Sequence, residues 1–290
     1  MKVLPFTIPV PHNHTILVQD EVLPHFYSYL HRHQEIQLTL ILQGEGTLIT
    51  GDSIHSFGPG DIFLLGPNLP HVFKSDAVYF TAGYSKQVHA LTVFFNPHGQ
   101  LGGMFNLPEM QAVQLFLQQV GSGFKVPDEL NREISVLMQL VNATEGADRL
   151  IRFLKLLKVL SVSNKLQPLT INVYPQTITD SEGIRIGLIY NYIVLNFDKP
   201  LTLQDAATQA YMTPQAFCRY FKKHTRHTFV GFLNKVRINE ACKMLNNRHN
   251  NNIADIAYSC GFNSITNFNR VFKSVAGLTP GAYATSMKKM

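Results

Sequence analysis

Two groups of side chains in this 290-residue chain have types and spacings that can do chemistry. The first is His31-Arg-His33-Gln-Glu35-Ile-Gln37, followed much later by His71. If the run is a strand, alternate residues share a face, so His31, His33, Glu35 and Gln37 point the same way. Three imidazoles suffice as donors for a metal ion, and the same polar set suits a small polar molecule. The second group is Phe217-Cys-Arg219-Tyr-Phe221-Lys222, which returns as Phe268-Asn-Arg270-Val-Phe272-Lys273, the string F-x-R-x-F-K repeated at a spacing of 51 residues. On a helix the two phenylalanines, four apart, share the core face, and the arginine between them lies on another side. Exposed Arg, Asn, Gln and Thr donate and accept at base edges in a major groove, while Lys222, Lys223 and Lys273 neutralise phosphate.

The charge distribution agrees with the second reading. From Asp180 onward there are 14 Lys and Arg against 6 Asp and Glu, and before it 11 against 13, which makes the overall +6 the sum of a basic last third and a near-neutral remainder. That asymmetry is expected of a nucleic-acid-binding module attached to a partner domain. The three cysteines, Cys218, Cys242 and Cys260, are odd in number and far apart, with no CxxC pair, and read as buried small side chains rather than a disulfide framework or zinc site. No run approaches the ~20 apolar residues of a membrane span, so a soluble cytoplasmic protein with no membrane partner is expected.

The elements that must position these groups follow from pattern. From Gln37 to Tyr84, short apolar runs (LTLIL, TLIT, IFLL) alternate with glycine turns, the signature of a small sandwich or barrel. After Pro108 the period becomes helical. Leu130, Ile134, Leu137, Met138 and Val141, then Leu150, Phe153, Leu154, Leu157 and Leu160, predict two amphipathic helices joined near Gly146. Their stripes exceed what a small barrel covers, which predicts a homodimer through Asp128 to Leu160. Prolines 168 and 175 place an interdomain linker there. Beyond it Thr179-x-x-Glu182, Thr202-x-x-Asp205 and Thr213-Pro214 read as helix starts.

The runs AFCRYFKKHT, NKVRINEACKMLNN and IADIAYSCGFNSITNFNRVFKSVAGLTPGAY resemble the C-terminal signature of AraC/XylS regulators over about Ile184 to Tyr283. The resemblance implies seven helices, two helix-turn-helix units on a central helix, and recognition helices entering successive major grooves about 34 Å apart. It carries base-facing roles onto Gln215, Cys218 and Arg219, and onto Ile265, Thr266, Asn269 and Arg270. Cys218 and Ile265 would offer apolar contact to a thymine methyl, and Thr213, Asn263 and Ser264 complete the DNA-binding set. The run His31 to Gln37, with Gly44, Gly46 and Gly60 to His71, resembles the two motifs of a cupin barrel, the sensor fused to many such regulators. This places His31, His33, Glu35, Gln37 and His71 inside the barrel as effector-binding residues. Metal cupins carry glutamate where Gln37 and Leu38 stand here, so no metal, no cofactor and no catalytic residue is expected.

The fold class expected is therefore multidomain α and β: a cupin-like sensor barrel (1–108), a helical dimerisation region (109–166), a linker (167–180), and an all-α domain of two helix-turn-helix units (181–290). The function expected is sequence-specific regulation of transcription, as an activator, with double-stranded DNA, a small polar effector such as a sugar, a second copy and RNA polymerase as partners. A metal-dependent cupin enzyme bearing a DNA-binding tail and an effector-independent DNA binder are the alternatives.

Overall fold

A computed structural model describes residues 6–8, 10, 14–163, 165–170, 178–246 and 252–287. The chain divides into two compact units, residues 1–183 and 184–290.

The N-terminal unit is a two-sheet barrel with helices on one side. Its strands are β1 (Ile16–Leu23), β2 (Ile36–Gln43), β3 (Gly46–Thr50), β4 (Ser53–Phe57), β5 (Ile62–Leu65), β6 (His71–Ser75), β7 (Val88–Phe95), β8 (Phe124–Lys125) and β9 (Gln167–Pro168). One sheet runs β1-β7-β2-β5-β8-β9 and the other β4-β3-β6, with every named pairing antiparallel. Strand β2 explains why LTLIL shows no polar alternation: both of its faces are covered. Ile36, Leu38 and Leu40 join the core beneath the helices, while Ile41 joins Leu48, Phe57, Phe63 and Phe73 between the sheets.

Helices α1 (Gly102–Phe105), α2 (Gln111–Gln119), α3 (Asp128–Asn142) and α4 (Gly146–Val162) follow. Here the expectation about the stripes is corrected. Ile134, Leu137, Met138 and Val141 of α3 and Phe153, Leu156, Leu157 and Leu160 of α4 are buried in one core with Leu91, Val93 and Phe95 of the sheet. The Phe95 and Phe153 rings meet edge to face at 4.8 Å. The outer face of the six-stranded sheet covers the stripes, so they do not require a second copy. The first residues expected in the linker are structured instead: Gln167 and Pro168 pair with β8, and Leu169 and Thr170 are buried. At its other end Ile178 is buried and a helix begins at Asp180, while residues 171–177 of the expected linker lie outside the described residues.

The helical elements from residue 180 on are α5 (Asp180–Leu195), α6 (Leu203–Gln209), α7 (Pro214–Thr225), α8 (Phe229–Asn246), α9 (Ile253–Ser259), α10 (Ile265–Ala276) and α11 (Pro280–Met287). Their starts follow the sequence signals. Thr202 and Asp205 form a reciprocal capping box on α6, and Thr213 caps α7 with Pro214 in its first turn. Helices α6–α7 and α9–α10 are the two helix-turn-helix pairs.

Candidate functional site

The repeated string occupies equivalent places on α7 and α10. Phe217, Phe221, Phe268 and Phe272 are all fully buried; of the residues between them Cys218, Arg219, Asn269 and Arg270 face outward, while Val271 joins the core and Tyr220 is half-buried. Thr213, Gln215, Cys218, Arg219, Lys222 and Lys223 are exposed on one helix, and Asn263, Ser264, Ile265, Thr266, Asn269, Arg270 and Lys273 at the start of and along the other. Every residue expected to meet DNA is thus on the surface. Among the described residues neither arginine is in an ion pair, and Arg270 donates to Asn267 Oδ1 at 2.8 Å. Two members of the set do structural work as well: Thr213 and Ser264 are N-caps whose hydroxyls accept from the Ala216 and Asn267 amides. Cys218 corrects the reading of buried cysteines. It follows Phe217 on α7, so the same turn that buries the phenylalanine sends it outward; Cys260 is buried and Cys242 half-buried. Burial pushes the thiols of Cys242 and Cys260 up to about 11 and about 12.

In the N-terminal unit His31, His33, Gln37 and His71 come together. His31 and His71 are paired through their backbones, and the ring centroids of His31 and His33 lie 4.4 Å and 5.1 Å from that of His71. Gln37 Oε1 is 2.9 Å from His33 Nε2 and 3.0 Å from His71 Nε2. Behind it, Gln37 Nε2 donates to Thr39 Oγ1 at 2.8 Å, and Thr39 meets Thr92 at 3.2 Å. Burial holds all three imidazoles below the ordinary 6.5, His31 at about 4 and His71 well below, so they are neutral at physiological pH.

Glu35 separates from this group. The expected alternation fails because the chain bends at Gln34 and Glu35 and β2 starts only at Ile36. Glu35 Oε2 stays 3.8 Å from His33 Nδ1, and the residue lines a cleft of about 230 Å³ walled by Leu17, Phe94 and Phe95 and edged by His14, Thr15, Asn96 and Gln100. The barrel interior beyond is filled by Phe26, Phe57, Phe63 and Phe73.

Comparison with known proteins matches both units. An AraC-like ligand binding domain model covers residues 17–92, and a helix-turn-helix domain model covers 206–286. The chain belongs to the AraC family of transcription regulators. This AraC-family chain is 25% identical over 266 residues to YdeC, an uncharacterized HTH-type transcriptional regulator of Bacillus subtilis (strain 168), covering 89% of the chain and 86% of that protein. It is 23% identical over 251 residues to the HTH-type transcriptional activator RhaS of Mannheimia succiniciproducens, covering 86% and 87%. Among solved structures, ToxT from Vibrio cholerae O395 overlays with a TM-score of 0.37 at 14% identity, covering 95% of this chain and 99% of that one.

The regulator is thus a DNA-binding protein with a ligand-binding domain, and none of its described helices is long and apolar enough to cross a membrane. Two features of it escape sequence reasoning. Arg237 on α8 donates Nε to the Phe197 carbonyl at 2.8 Å and Nη2 to that of Lys199 at 2.9 Å, and its guanidinium lies 5.5 Å from the Phe262 ring, so a basic residue in the basic domain holds a turn together. The cleft residues Asn96 and Gln100 sit in the loop after β7, whose approach to Glu35 no local sequence pattern shows.

Proposed function

We propose that this regulator reads DNA sequence through α7 and α10 and that a small polar effector, such as a sugar, in the N-terminal cleft controls it. One observation carries the DNA reading: Arg219 and Arg270 project from two helices with matching buried faces, in a domain of excess positive charge. Gln215 and Cys218 accompany the first arginine, Ile265, Thr266 and Asn269 the second, and the lysines flank them for phosphate contact. For the effector, the cleft beside Glu35 offers a carboxylate, two amides and aromatic walls. At about 230 Å³ it lies below the ~300–1,000 Å³ of drug-sized pockets and suits a small occupant.

Pairing of two copies through α3 and α4 has to rest on outward residues such as Val136 and Ile151, 50% and 60% exposed, because the inward stripes are closed within one chain. Sedimentation of the full chain beside Val136→Asp and Ile151→Asp tests it: a monomeric parent removes the dimer. The activator role and contact with RNA polymerase come from the family resemblance alone. Selecting bound sequences from a random DNA pool, then measuring the winner with Arg219→Ala and Arg270→Ala, tests the DNA reading. Each variant is expected to lose ~1–3 kcal/mol of specific affinity without a change in melting temperature. Lost stability with intact sequence preference would mean the arginines are structural.

A further inference from the structure

The sequence argued against a metal because Gln37 stands where a carboxylate is usual. The hydrogen bonds around it argue the other way. Nδ1 of His31, His33 and His71 lies 2.9, 2.9 and 2.8 Å from the carbonyl oxygens of Tyr29, Glu35 and Leu69. A carbonyl only accepts, so each ring holds its proton on Nδ1 and leaves an Nε2 lone pair to accept. One ligating nitrogen from each ring lies within 4.8 Å of the others. Gln37 Oε1, a further acceptor, is 2.9 and 3.0 Å from two of the Nε2 atoms. Lone pairs this close repel unless the Gln37 carboxamide presents its amino group to them or a cation lies between them.

Turning the carboxamide over is one remedy, and it is the arrangement expected without an ion. A cation is another. Nitrogen and oxygen ligands at right angles about an ion, each bonded at about 2.1 Å, stand about 3.0 Å apart, which matches the spacing of Gln37 Oε1 to the two histidines. We propose that His31, His33, His71 and the Gln37 side-chain oxygen bind one divalent transition-metal ion, which makes the N-terminal unit responsive to that metal. The second half of this statement rests on the effector reading above; the binding does not. Imidazoles and an amide oxygen select zinc, nickel, copper or ferrous iron over magnesium or calcium. The carbonyls on Nδ1 orient the rings as outer partners of metal-bound histidines do, and Glu35 Oε2, 3.8 Å from His33 Nδ1, places a carboxylate beside them.

Gln37 then has two settings. With the ion present, Oε1 faces it and Nε2 donates to Thr39. Without it the carboxamide turns over, its amino group donates to the Nε2 atoms of His33 and His71, and Oε1 accepts from the Thr39 hydroxyl. The hydrogen bond from Thr39 to Thr92 reverses with it, so occupancy is relayed from β2 to the adjacent β7.

The test titrates chelator-treated full-length protein with zinc(II) and with nickel(II) against a chromogenic competitor, and follows thermal unfolding in parallel. One equivalent should bind with micromolar or tighter affinity and raise the melting temperature. His31→Ala, at a half-buried position, should weaken binding at least tenfold with an unchanged circular dichroism spectrum, and Gln37→Glu, which adds an anionic oxygen, should tighten it at least tenfold. No saturable binding of either metal, or binding indifferent to both substitutions, overturns the proposal. DNA affinity measured with and without the ion reads the regulatory claim separately: histidine-dependent binding that leaves DNA affinity unmoved confirms the site and removes the metal as effector.

Discussion

At the turn of the second helix-turn-helix pair stands Gly261 with φ +80°, and at the same turn of the first stands Tyr211 with φ +55°. Both turns close alike: the Met212 amide donates to the Ala207 carbonyl at 2.9 Å, and the Phe262 amide to that of Ala257 at 3.1 Å. The surroundings differ. A Cβ on Gly261 would lie 2.6 Å from the Phe197 carbonyl oxygen and 2.8 Å from that of Asp198, whereas Tyr211 is 94% exposed. The second turn therefore needs glycine for space as well as for its backbone angle. The first has the space and accepts left-handed strain of roughly 1–2 kcal/mol instead. The helix ends repeat the contrast, with Arg226 at φ +59° after α7 and Gly277 at φ +76° after α10. The repeat preserves the backbone path and the buried rings and leaves each unit to find its own way through the left-handed positions.

Six substitutions sharpen or break this contrast. Phe217→Ala and Phe268→Ala should each cost ~3–5 kcal/mol in urea unfolding, since both rings are fully buried; a marked inequality would show that the two cores are not equivalent. Gly261→Ala should cost about 2–3 kcal/mol through strain and crowding, while Tyr211→Ala should stay within about 0.5 kcal/mol. Equal losses at the two turns would refute the crowding argument. Asn267→Ala, which removes the acceptor steadying Arg270, should lower specific DNA affinity by about 1 kcal/mol with no counterpart in the first unit; an unchanged affinity would show that Arg270 needs no orienting. Tyr211→Gly should raise stability by about 0.5–1 kcal/mol, and a loss there would mean the tyrosine ring holds something.

The C-terminal helices were legible almost to the residue, because Thr202, Thr213 and the paired phenylalanines are local signals: a cap or a spacing of four acts within one helix. The strands were legible as turns and apolar runs. What escaped was tertiary. The α3 and α4 stripes read as needing a partner because sequence does not show how much of a sheet's outer face is free to receive them. His31, His33, Gln37 and His71 were correctly grouped by position in the chain, yet Glu35 was misplaced because one bend before Ile36 breaks the two-residue period. Arg237 was invisible among other basic residues, since its partners are the backbone carbonyls of Phe197 and Lys199, which no side-chain pattern encodes.

Helix α8 belongs to both helix-turn-helix halves. Near its start Phe232 stacks on Tyr190 at 4.8 Å and meets Phe221, while further along Ile238 and Ala241 enter the core of Phe268 and Phe272. A helix advances about 1.5 Å and turns about 100° per residue, so the separation and relative rotation of the two reading surfaces are quantised. Inserting one residue in the middle of α8 swings one surface about 100° relative to the other, and inserting four brings the bearing back to within about 40° but lengthens the span by about 6 Å. On the proposed DNA reading, the distance between the two half-sites in an operator is written as an integer count of residues in a single helix, and it can change only by steps.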